Sequence, residues 1–125
     1  MPADAALAGR RILVVEDEYF LAEELRCALT AGGATVLGPV PSVGAALDLL
    51  EHGEVPDAAM LDVSLGGDAA YPIADALTAR GLPFLFTTGY DRSSMPARYA
   101  AVRRLEKPVE LPLLMRELGR LLGGA

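Results

Sequence analysis

Four places in this 125-residue chain carry side chains suited to handling a phosphoryl group. They are the acidic pair Glu16-Asp17, the lone carboxylate of Asp62, the hydroxyl of Thr88 and the ammonium of Lys107. Carboxylates gathered at one point raise one another's proton affinity unless a cation relieves them. Mg2+ is the natural cation, since it takes oxygen ligands at roughly 2.0–2.1 Å and sits readily beside phosphates. Zinc is not expected, because His52 stands alone at a helix end and Cys27 lies within a helical pattern. An aspartate can itself attack phosphorus, and the transfer needs little beyond alignment and neutralisation of the equatorial oxygens. Mg2+ on Glu16, Asp17 and Asp62 would cover one oxygen and Lys107 a second. The Thr88 hydroxyl, with nearby backbone N–H groups, would cover a third. No general base for activating water is evident, so slow hydrolysis of an acyl phosphate is expected.

Taken singly, each of these residues has an ordinary explanation. An acidic pair favours a helix start, an Asp can cap a turn, Thr-Gly is a common turn, and a lysine before proline can simply be a surface charge. Their placement argues otherwise, because each follows a predicted strand. Ile12-Leu13-Val14-Val15 is a continuous apolar run of the kind buried on both faces, and Glu16-Asp17-Glu18 ends it. A helix is predicted from Tyr19 to Ala31, with Leu21, Leu25 and Leu29 at four-residue steps and Gly32-Gly33 as its stop. A second strand, Ala34–Gly38, is closed by Pro39 and Pro41, and Ser42 caps a helix from about Val43 to Glu51. Asp57–Leu61 forms the third strand, residues 63 to 69 a loop, and Tyr71 to Ala79 a third helix. Pro83–Thr87 forms the fourth strand. Residues 92 to 100 are broken by Pro96 and admit at most a short or irregular helix. Val102–Leu105 is a weak fifth strand, and the last helix runs from about Leu111 to Leu122 with Pro112 in its first turn.

Strands alternating with helices argue a parallel sheet with helices on both faces. In such a sheet all four sites fall at the carboxyl edge, where ligands are handled. The first strand-helix turn is acidic rather than glycine-rich, which argues against a dinucleotide fold. A length of 125 residues with 52% hydrophobic and 22% charged residues fits one globular domain. That domain spans residues 10 to 123 behind a loose tail at 1 to 9. The formal charge of -6 opposes indiscriminate contact with nucleic acid or anionic membrane. A single cysteine, no leader-like start and no run of roughly 18 apolar residues make a cytoplasmic protein the expectation.

In the order and spacing of these motifs, the chain from Arg11 to Leu122 resembles a response-regulator receiver domain. This is the phosphoaccepting module of bacterial two-component signalling. The resemblance implies a flavodoxin-like α/β fold, doubly wound, with five parallel strands in the order 2-1-3-4-5 and five helices. It makes Asp62 the phosphorylated aspartate and Asp17 the chief metal-binding acid. Glu16 reaches Mg2+ through water, and Ser64 supplies a backbone carbonyl to it. Thr88, rather than the strand residue Thr87, becomes the switch hydroxyl, Gly89 leaves room and offers an N–H, and Lys107 contacts the phosphoryl group. Pro108 follows Lys107 through a cis bond. Arg104, three residues before Lys107, stands where many receivers carry a switch aromatic, which leaves Arg104 to contact a partner or Asp91. The short third helix, with Pro83 and Phe86-Thr87-Thr88-Gly89-Tyr90, is similar to the alphaproteobacterial receivers named for a Phe-Ala-Thr-Gly motif, Thr87 replacing Ala. Members of that group imply a partner histidine kinase of the HWE or a related class, or a phosphotransfer protein.

No output domain is expected after Leu122, and no helix-turn-helix is present, so signalling should run through protein contacts, as a monomer or weak dimer. Phosphorylation adds about -1.5 to -2 charges, and the segment 89 to 100 is expected to move. It would present Tyr90, Met95 and Tyr99 to a partner, unless those three pack in the core. Two other readings stand beside this one. The first is an adaptor of the same fold that is never phosphorylated. The second is a small Mg2+-dependent phosphohydrolase, which would want an acid two residues beyond Asp62, where Ser64 stands. Whether a phosphorylated form would be an effector or a phosphate sink is left open.

Overall fold

The structure is a computed structural model and describes residues 7–89 and 95–123. In chain order its elements are β1 (Arg11–Val15), α1 (Tyr19–Ala31), β2 (Thr35–Val40), α2 (Val43–His52) and β3 (Ala58–Asp62). They continue with β4 (Ser64–Leu65), β5 (Asp68–Ala69), α3 (Tyr71–Ala79) and β6 (Phe84–Thr88). A 3₁₀ turn (Ala97–Tyr99), β7 (Arg104–Glu106) and α4 (Leu111–Leu121) complete the chain. Five strands pair in parallel in the order β2-β1-β3-β6-β7, while β4 and β5 form a separate hairpin. With the hairpin set aside, this is the expected 2-1-3-4-5 order.

The period of two along each strand divides the core into two layers. Leu13, Val15, Ala59, Leu61, Phe84 and Phe86 face α2 and α3, whose Ala46, Leu50, Ile73, Ala74 and Leu77 are buried against them. Ile12, Val14, Ala58, Met60, Leu85 and Leu105 face α1 and α4, which contribute Leu25, Leu29, Leu114 and Leu118. Covered on both sides, β3 is buried along its whole length. The Ser42 hydroxyl caps α2, accepting from the Ala45 N–H at 3.1 Å. No helix among the described residues is long and apolar enough to cross a membrane.

Four expectations are corrected. First, β2 does not close at Pro39 but runs on to Val40, through a cis Gly38-Pro39 bond. It is an edge strand, so the N–H that proline lacks leaves no gap between two strands. The β1–β2 register shifts at this point, and the Val40 carbonyl accepts from the Glu16 N–H at 3.0 Å. Second, residues 63 to 69 are not a plain loop. Gly66 and Gly67, with φ of 59° and 95°, make the two-residue turn of the β4–β5 hairpin, a backbone path open to glycine. Third, the ordered fold begins before residue 10, since Leu7 is fully buried and the Gly9 N–H donates to the Gly33 carbonyl. Fourth, the last strand is Arg104–Glu106, and Val102 lies outside it. The remaining tail, residues 1–6, lies outside the described residues, as do Tyr90 and Asp91.

Candidate functional site

Three strand ends and the turn after β7 build the site. The bond from Glu16 N–H to Val40 carries the line of β1 one residue further and turns the Glu16 side chain inward, where it is 2% exposed. Asp17, next along, stays exposed, and its Oδ2 accepts from the Gly66 N–H at 2.9 Å. Asp62 closes β3 and is level with Thr87 in β6, which is in turn level with Leu105 in β7. It is 5% exposed, and its Oδ1 accepts from the Ser64 N–H at 3.1 Å. Lys107 is anchored through its own N–H to the Thr88 carbonyl at 2.7 Å and precedes a cis bond to Pro108, as expected.

The Lys107 ammonium lies between the two buried acids. It donates to Asp62 Oδ2 at 2.8 Å and to Glu16 Oε2 at 3.2 Å, with Glu16 Oε1 at 3.1 Å. Burial pushes the Glu16 carboxyl above its ordinary value, and the neighbouring Asp62 charge adds to this. The Glu18 N–H and Lys107 pull it back down. For Lys107, burial acts to lower the ammonium, but the hydrogen bond and charge of Asp62, joined by Glu16, outweigh it and hold the group above its ordinary value. Oxygens of Glu16, Asp17 and Asp62 lie within 4.8 Å of one another. Glu16 Oε1 is buried and lacks a hydrogen bond of proper geometry. A compact set of carboxylate oxygens, one of them buried without a hydrogen bond, fits a hard divalent cation such as Mg2+.

A cleft of about 890 Å³ opens above Asp62 and is lined by Thr88, Gly89, Arg104 and Lys107 among others. Asp62, Ser64 and Pro108 line it too, and Glu16 and Asp17 lie beside Asp62. Thr88 ends β6 on the cleft, whereas Thr87 is buried within the sheet. Ser64 takes part through its N–H. Arg104 is exposed, level with Phe86, and makes no ion pair with a described residue, while Asp91 lies outside them. Arg103 beside it is engaged by the buried Glu117 of α4 at 3.3 Å. Tyr99 is a core residue rather than a displayed one, 3% exposed, and Met95 is half-buried against the same layer.

Sequence reasoning missed three contributors. Gly66 reaches Asp17 because the hairpin folds back, and the paired glycines were the available signal. Glu117 and Tyr71 carried none: Glu117 reads as a solvent-facing helix charge, and Tyr71, which lines the cleft, reads as an ordinary helix start.

No protein-family model matches the chain, and no curated protein matches it. Solved structures do. SdrG from Sphingomonas melonis Fr1 is 38% identical over 98% of this chain and 99% of its own, with a TM-score of 0.78. The BeF3-activated conformation of SdrG from Pseudomonas melonis Fr1 is 39% identical over 92% of this chain and 98% of its own, with a TM-score of 0.75. The signal receiver domain of a modulated diguanylate cyclase from Desulfovibrio desulfuricans G20 is 28% identical over 93% and 95%, with a TM-score of 0.80.

Proposed function

The chain belongs to the response-regulator receiver family, and from that premise we propose that Asp62 accepts a phosphoryl group from a histidine kinase or a phosphotransfer protein in a Mg2+-dependent reaction. Its role is signalling rather than turnover of a substrate. The observation that carries this reading is the ammonium of Lys107 held between Asp62 and Glu16, at 2.8 and 3.1 Å, beside a third carboxylate. An isolated surface aspartate has no such surroundings.

Glu16, Asp17, Asp62 and the Ser64 carbonyl would hold Mg2+, which when bound supplies positive charge against the phosphoryl oxygens. Lys107 and the Ser64 N–H fix the Asp62 carboxylate in place before the donor arrives. An Asp62 oxygen forms the O–P bond as the N–P bond to the donor imidazole breaks. The imidazole leaves with that electron pair and takes a proton from solvent. Lys107 then faces a phosphoryl oxygen, while the Thr88 hydroxyl and the Gly89 N–H meet the others from the cleft wall. BeF3, which activates the 39% identical relative, has the size and tetrahedral shape of a phosphoryl group on a carboxylate. Within the family, a kinase of the HWE or a related class is the partner we favour, with Arg104 on the cleft rim available to a protein contact. The phosphorylated form then acts on a protein target or serves as a relay.

Incubation with acetyl phosphate, with and without Mg2+, followed by intact mass measurement tests the reading. One added phosphoryl group, dependent on Mg2+, is expected. An unlabelled wild type under every Mg2+ condition would leave the unphosphorylated adaptor as the better account.

A further inference from the structure

Tyr71, in the first turn of α3, belongs to two environments at once. One side lines the cleft with Asp62, Thr88 and Lys107. The other stacks on Tyr99, with ring centroids 5.9 Å apart and planes 16° from parallel, and meets the Phe86 ring edge-on at 6.1 Å. Tyr99 is wedged edge-on against Phe84 and Phe86 as well. Its hydroxyl reaches the opposite end of the arrangement and donates to Asp75, one helical turn along α3 from Tyr71. Arg98 completes the group. Its Nε and Nη2 donate to the two Asp75 oxygens at 3.0 and 3.2 Å, and its guanidinium lies 4.9 Å over the Tyr99 ring.

Tyr99 is thus shared between a buried ring stack that begins at the cleft and a half-exposed ion pair at the surface. The two parts differ in stiffness. Rings packed at interior density pass a displacement on to their neighbours rather than absorbing it, whereas an exposed ion pair opens at little cost. A 3₁₀ turn of three residues has scant hydrogen bonding of its own, so Ala97–Tyr99 is held to α3 by these side chains. Phe86 adds a second input, because it lies two residues before Thr88 on the same face of β6.

We propose that the Tyr71–Tyr99 stack is the output linkage of the site: a phosphoryl group on Asp62 displaces Tyr71, Tyr99 follows, and Arg98 is released from Asp75. The face formed by α3 and the 3₁₀ turn then changes from a closed ion pair to an open arginine and carboxylate offered to a protein partner. This rests on Asp62 being the phosphoacceptor. The aromatic ring comes from α3, which answers to the arginine at position 104 where an aromatic would otherwise stand.

The test is by NMR on the full chain with Mg2+ and beryllium fluoride, reading two places at once. The amides of Ser64 and Gly66 report the site, and the Arg98 side-chain N–H reports the clasp. Wild type should shift at both. Tyr71→Leu should keep the site shifts and lose at least half of the Arg98 response, while Tyr71→Phe, which keeps the ring, should respond like wild type. If Tyr71→Leu does not fold, Tyr99→Phe serves, with the ring stack kept and the hydroxyl removed, and should halve the Arg98 response in the same way. Site shifts without an Arg98 shift in wild type, or a full Arg98 response in Tyr71→Leu or Tyr99→Phe, overturn the linkage alone. No shift at either place in wild type overturns the phosphoacceptor reading and the linkage with it.

Discussion

The acidic edge and the aromatic layer beside it are held together by different forces. At the edge, a single ammonium is shared by two buried carboxylates, and a third acid is tied by one backbone N–H. In the layer, Tyr71, Phe84, Phe86 and Tyr99 meet through their faces and edges, with charge appearing at the surface in Asp75 and Arg98. Charge pairs respond strongly to an added anion, because Coulomb energy grows as the surroundings dry. Ring packing responds to shape. The first region is therefore suited to receiving a phosphoryl group and the second to registering its volume. Substitutions should separate accordingly, with chemistry lost at the edge and stability lost in the layer.

The sharpest way to break this division is at Asp62. Asp62→Asn should abolish labelling by acetyl phosphate completely while leaving a cooperative urea transition. A variant that still gains one phosphoryl group by intact mass would move the acceptor elsewhere. Phe86→Ala lies at the other extreme. It removes a fully buried ring and should cost about 3–5 kcal/mol in urea unfolding, and any fraction that stays folded should still be labelled. Lys107→Ala tests the shared cation. Leaving Glu16 and Asp62 to face each other should cost about 1–3 kcal/mol without Mg2+. Added Mg2+ should recover much of that loss by binding the folded state. Equal losses with and without Mg2+ would show that the lysine acts by packing alone.

The smallest effect is expected from Tyr99→Phe. Losing one hydrogen bond to a half-exposed acid should cost about 1 kcal/mol. Burial, and then its bond to Asp75, raises the Tyr99 phenol above its ordinary 10.0. A raised folded value means stability that is complete below pH 10.0 and is lost as pH climbs through the folded value. Thermal unfolding of wild type should therefore fall more steeply above pH 10.0 than that of Tyr99→Phe. Parallel alkaline profiles would count against the buried phenol.

What was legible in the sequence followed from local pattern. The apolar runs at Ile12–Val15 and Asp57–Leu61 announce buried parallel strands, and a parallel sheet places whatever follows its strands at one edge. Glu16, Asp62, Thr88 and Lys107 could thus be grouped without knowing the strand order. The errors have one origin, which is that they depend on what lies across from a residue. Pro39 is tolerated within β2 because that strand is at the edge, and edge position depends on strand order. The β4–β5 hairpin has strands of two residues, too short to show alternation. Leu7 stands alone among small residues, and its burial depends on the layer formed by α1 and α4. The Tyr99–Asp75 and Arg103–Glu117 pairs join residues with no periodic relation at all.

The reach of Lys107 has a consequence for how the protein is made. Its ammonium bridges Glu16, 91 residues earlier in the chain, and Asp62, 45 residues earlier. During synthesis both acids are added long before their cation. Until the residues after β7 are added, the carboxylates of Glu16 and Asp62 lack the ammonium that lies between them in the folded chain. Contacts of such long sequence separation also slow folding, because a long loop must close before they form. Competence for phosphoryl transfer should therefore be among the last properties the chain acquires, arriving with β7 and the turn that follows it.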